Sequence, residues 1–227
     1  MTTTLSHRSA QATGSRGRRP AAVALAASAG SIVAITLAGL LDPGYSAASE
    51  AISALASTES QSAPIMTIGF ALMAVTAVSG GVAVWRALGV KIAAAAGILL
   101  TLAGVLTLAE AFFRQSCSSL QQVCLQRESA GTVSSDHMLH NLIALPLFGF
   151  LVIAGFLLVG AVGRSPARRR YRGRVLTGAI CTLILFVWFG SGAYSDLGGL
   201  VQRALVLSAY GLPVIIGWAA ARTRIAG

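Results

Sequence analysis

The sequence predicts an all-α polytopic membrane protein, a bundle of six transmembrane helices with both termini cytoplasmic. Three observations lead there. Six long apolar runs divide the 227 residues, each near the roughly 20 residues that an α-helix needs to cross a bilayer. The composition, 55% hydrophobic and 11% charged, is far from that of a soluble domain. The charges between the runs alternate in side. Of 17 Lys and Arg, 14 fall on one face, in the N-terminal tail (Arg8, Arg16, Arg18, Arg19), the second-to-third connection (Arg86, Lys91), the fourth-to-fifth connection and the C-terminal tail (Arg222, Arg224). The other face holds Arg114, Arg127 and Arg203 with all seven acids. The positive-inside rule makes the basic face cytoplasmic.

Taken in order, residues 1–19 form a polar, basic tail with almost no large apolar group, expected to be disordered. The first span is read as Pro20 to Leu41. Its apolar stretch exceeds the roughly 7 to 15 residues of a signal-peptide core, so it is read as retained. The loop from Asp42 to Ala63 contains Ser49-Glu50-Ala51-Ile52-Ser53-Ala54-Leu55, and its spacing predicts a short helix at the membrane surface. The second span is Pro64 to Trp85, with proline where a first turn has no use for an N–H, and the third is Ile92 to Phe112. The loop from Phe112 to Asp136 carries Cys117 and Cys124, which an oxidising outer compartment would join as a disulfide. The remaining spans are His137 to Val162, Val175 to Tyr194 and Ala204 to Ala221, with residues 222–227 as a short tail. Cys181, in the fifth, is read as a small core residue.

Smaller features fit this frame. Pro146 and Pro213 lie inside spans four and six and are expected to bend them. Tyr45, Trp85, Tyr171, Tyr194 and Trp218 fall near span ends, as an aromatic belt does. Gly80, Gly81, Gly97, Gly104, Gly149 and Gly155 would let helices approach closely. The net charge of +10 does not point to nucleic acid, because the basic residues are spread over four short segments without interleaved aromatics. The run Arg164 to Arg174 is read as a topology determinant, with anionic headgroups as the other reading.

The chemistry-bearing residues gather on the outer face. His137 and His140 are three apart and project from one helical face. Glu110 lies about 27 Å along its helix from Ile92, at about the same depth. With Glu50 and Ser53 these form a candidate outer polar site. His137, His140 and either Glu110 or Glu50 meet the count for a zinc with an open position. The plainer account, which carries more weight, is structural: Asp136 or Glu110 bonds the imidazoles, and Glu110 pairs with Arg114 four residues on.

The Ser49-Glu50-x-Ile52-Ser53-x-Leu55 segment, the cysteine-bearing loop after span three and the His137-x-x-His140 start of span four resemble the six-span bacterial and archaeal membrane family called domain of unknown function 998. The resemblance covers about residues 22 to 221. It departs from the family at Ala56, where Gly is frequent, and at Phe113-Arg114, where Phe-Pro is. It implies a fold, a bacterial or archaeal plasma membrane and a polar constellation, and no reaction. Two functions are carried forward. One is a non-enzymatic membrane protein with a polar outer-leaflet pocket that binds a lipid or a protein partner. The alternative is an intramembrane hydrolase, metal-dependent or acid/base, acting on a lipid-like substrate.

Overall fold

A computed structural model describes residues 3–166, 168–193 and 195–222, with the side chains of residues 3–16 and 195 left aside. Its elements are all helical, and the described residues contain no strand. The α-helices are α1 (Thr3–Leu41), α2 (Ala63–Leu88), α3 (Lys91–Phe112), α4 (Gln122–Ser129), α5 (Ser135–Gly163), α6 (Arg172–Ser191) and α7 (Gly198–Arg222). Six are long and apolar enough to cross a membrane, so the chain is a multi-pass membrane protein. The backbone of α1 starts well before Pro20, inside the segment expected to be a disordered tail. Tyr194 and residues 223–227 lie outside the described residues.

The six spans form a ring in chain order, with α1 closing against α7 and α7 also touching α2 and α5. Small residues set the tightest crossing. A Cβ at Gly81 would stand 2.7 Å from the Gly97 carbonyl oxygen, and one at Gly97 would stand 2.8 Å from that of Gly81. Only glycine lets α2 and α3 approach so closely. Gly104 works similarly against Ala74, whereas Gly80 and Gly149 face open space and do not serve close packing. On α6 only Val175, Ala179 and Thr182 are buried, so this helix lies at the periphery. Cys181 is exposed on it, which corrects its expected place in the core.

One end of the bundle carries the three connections 42–62, 113–134 and 192–197. The Cys117–Cys124 disulfide forms there, with Cα atoms 5.7 Å apart. Two departures from expectation occur at this end. The Ser49–Leu55 segment is not a surface helix: a 3₁₀ turn at Ile52–Ala56 has all five residues buried, plugging the bundle. Span six starts at Gly198, not near Ala204, because Gln202 and Arg203 point their polar heads at this plug and not into the apolar phase.

Candidate functional site

Three arginines on this end reach the first connection, two of them through its backbone carbonyls. Arg114 donates from Nε to the Ala56 carbonyl at 2.8 Å and from Nη2 to that of Ser57 at 2.6 Å. Arg203 donates from Nη1 to the carbonyls of Ala47 at 2.8 Å and Glu50 at 3.1 Å, and from Nη2 to the Tyr45 phenol oxygen. Arg127 pairs with Glu59 at 3.1 Å. All three therefore act on the first connection. Arg114 and Arg203, which break the basic-face pattern, are here the fasteners of a loop whose carbonyls would otherwise be short of donors. Tyr45 belongs to this clamp and not to an aromatic belt. Gly199 permits it: a Cβ there would fall within 3 Å of the carbonyl oxygens of Ala47, Ala48 and Glu50. The Ala48 carbonyl accepts the Leu200 N–H at 3.1 Å, satisfying one open donor at the start of α7.

The two histidines of α5 have opposite ring arrangements. Ser134 caps the helix by accepting the His137 N–H at 3.2 Å. The His137 side chain is fully buried. Its Nδ1 accepts the Ser116 backbone N–H at 3.1 Å, so Nε2 carries the proton and donates to Glu128 Oε1 at 2.7 Å. Both ring nitrogens are used. In His140, Nδ1 donates to the Phe113 carbonyl at 2.8 Å. In the neutral ring this leaves the Nε2 lone pair facing Glu110, 3.8 Å from Oε1. His140 alone keeps a lone pair available.

The expected metal trio is accordingly split. His137 sits on Glu128 and Ser116, while His140 and Glu110 face each other on the other side. Among the described residues, the ligand atoms that gather closely enough for one ion are those of Cys117, Cys124 and His137. Two of these sulfurs are already bonded to one another. The expected Glu110–Arg114 pair does not form, because α3 ends at Phe112 and helical spacing no longer applies at Arg114. Asp136 is not the imidazoles' partner; Glu128 on α4 and the backbone are.

Of the five expected site residues, Ser53, Glu110 and His140 line one chamber of about 80 Å³. Glu50 is buried elsewhere, accepting the Ser46 N–H at 3.1 Å. Polar groups not expected from the sequence complete the chamber: Gln115, Asn141, Gln202 and Tyr210. Gln115 donates to Asn141 Oδ1 at 2.9 Å, and its own Oε1 is buried without a hydrogen-bond partner. Gln202 accepts the Ile52 N–H at 2.5 Å. The Thr107 hydroxyl donates to the Ala103 carbonyl at 2.8 Å, so Tyr210 donates to Thr107 at 2.5 Å. Polar residues inside otherwise apolar runs were the available signal for Thr107 and Tyr210. Phe70, edge-on to the His140 ring with centroids 6.2 Å apart, closes one wall.

A second space lies alongside. A groove of about 410 Å³ runs between α1, α2 and α7, rimmed by the exposed Leu25, Ile32, Leu207 and Ile215. It shares Ile52, Met73, Val206 and Tyr210 with the chamber wall.

The chain belongs to the family described as protein of unknown function (DUF998), whose model matches residues 21–219. Neither the curated proteins nor the solved structures contain a match to it.

Proposed function

We propose that this is a cell-membrane protein, termini in the cytoplasm, that binds a lipid-like amphiphile at the outer leaflet without transforming it. The tail occupies the groove beside α1 and α7, and the polar head reaches the chamber. What supports the reading is the shared wall: an apolar groove open to the surface abuts a small polar chamber, the arrangement an amphiphile needs. The 14-to-3 division of basic residues supports the orientation.

Gly211 supplies the test. It lines the groove, and a Cβ there meets nothing within 4 Å. Gly211→Phe should fill the groove without disturbing α7, and native mass spectrometry of detergent-purified protein should show bound lipid lost. Equal lipid retention in the wild type and the variant would refute the groove as the binding place.

A second reading, acid/base hydrolysis of a lipid-like ester or amide, is favoured by one observation. The free lone pair of His140 faces Glu110, a base beside a carboxyl group. Turnover of labelled lipid that disappears in His140→Gln while binding persists would favour it over simple binding.

A further inference from the structure

The chamber's polar groups are unbalanced. Glu110 offers a carboxyl group, and its ion-pair contact, His140 Nε2, stands at 3.8 Å, beyond hydrogen-bond reach. His140 Nδ1 is committed to Phe113, so in the neutral ring Nε2 is an acceptor as well. Gln115, 2% exposed, keeps a buried Oε1 with no donor. Tyr210 is committed to Thr107 and the Gln115 amide to Asn141 and Ser119, while Ser53, Ser119 and the Gln202 amide add neutral donors to the lining. No Lys or Arg is among the described residues that line the space. A buried acid facing a ring lone pair, with no cationic side chain in the described lining, calls for a cation that carries N–H bonds.

We infer that the chamber is a site for a primary ammonium group, held between Glu110 and His140. This rests on the amphiphile-binding reading above and names the head it would take. Geometry allows it: a nitrogen about 2.8 Å from both atoms, an ordinary charge-assisted length, closes a triangle on the 3.8 Å base. The volume of about 80 Å³ suits a small head. A phosphate inside the chamber would face the Glu110 carboxylate with no Lys or Arg in the described lining to receive it. A trimethylammonium head is bulkier and has no N–H to donate to the Glu110 and His140 acceptors. Two sources carry such a group, an aminolipid head and a free amine, and the experiment separates them.

Detergent-purified protein is exposed to equimolar phosphatidylethanolamine, phosphatidylcholine and phosphatidylglycerol, and bound lipid is read by native mass spectrometry. The expected result is about tenfold preference for phosphatidylethanolamine, the discrimination that one charged hydrogen bond supplies, collapsing in Glu110→Gln. If that variant does not fold, Gln115→Met, which removes the unpartnered oxygen and leaves the charge, should reduce the preference several-fold. Equal retention of the three lipids overturns the ammonium site and leaves amphiphile binding standing. No lipid retained, with ethylammonium chloride raising the melting temperature of wild type but not of Glu110→Gln, supports the ammonium site with a free amine as its source and removes the lipid reading. No lipid retained and no response to ethylammonium overturns both.

Discussion

Arg203 and Tyr45 are joined twice: the guanidinium donates to the phenol oxygen, and its carbon lies 5.6 Å from the centre of the ring. The contact ties the last helix to the first connection. Burial pushes the Tyr45 phenol above its ordinary value of 10.0, against the opposing pull of Arg203. A raised folded-state value means that the unfolded chain loses its proton first. The stabilisation is therefore complete below about pH 10 and is lost as pH rises from there through the folded value. Thermal melts in detergent should show an alkaline decline above pH 10 that is shallower in Tyr45→Phe. Identical pH profiles would count against the clamp as drawn.

Removing the guanidinium should loosen the plug more than it unfolds the bundle. Arg203→Met leaves the Ala47 and Glu50 carbonyls short of a donor and should cost about 1–3 kcal/mol. Hydrogen exchange should rise in residues 42–62 and stay unchanged in α3 and α5. A uniform rise across all helices would mean that Arg203 supports the fold generally and not this loop.

The disulfide and the exposed Cys181 make a joint prediction. Protein alkylated without reduction should gain one label, at Cys181, and three after reduction and unfolding. Closing a short loop is worth roughly 2–3 kcal/mol on the chain-entropy view, so reduction should lower the melting temperature. Labels on Cys117 or Cys124 in unreduced protein would remove the bond.

His137 and His140 should respond differently to substitution. His137→Ala leaves Glu128 and the Ser116 N–H without their buried partner, a loss of about 2–4 kcal/mol with the vacated volume included. His140→Gln should have a smaller effect on stability. Comparable losses in both, together with near-stoichiometric zinc that leaves with either, would restore the three-ligand metal site.

Orientation is open to labelling in a Cys181→Ala background. Thr58→Cys, on the exposed part of the first connection, should react with an impermeant maleimide in intact cells, and Arg170→Cys should not. Ser57 is unsuitable because it is buried. The reverse pattern would invert the protein in the membrane.

The spans and the disulfide were legible because both follow from local arithmetic. Apolar length reports a crossing, and two cysteines in one short connection have few other partners. The chamber was legible only in part. Glu110 and His140 could be placed at one depth by counting residues along their helices. That His137 turns instead to Glu128 depends on α4, whose eight residues lie in a connection with no apolar period to reveal them. Gln202 and Arg203 misled the boundary of α7 for a related reason. Hydropathy scores a polar side chain as an end of span, while here its partners are carbonyls delivered by a loop some 150 residues earlier.

That separation bears on how the protein is assembled. Synthesis delivers Ile52, Ala47 and Glu50 to the membrane long before Gln202 and Arg203 exist. Until α7 inserts, the Ile52 N–H and the Ala47 carbonyl lack the side chains that bond them in the finished molecule, and the Glu50 carbonyl has the Tyr45 hydroxyl but not Arg203. The α1–α2 hairpin can enter the bilayer early, but its connecting segment acquires its folded form only when the last helix arrives. A chain stopped short of Gly198 would carry five spans and an unfinished cap, so the C-terminal helix is the step that seals the bundle.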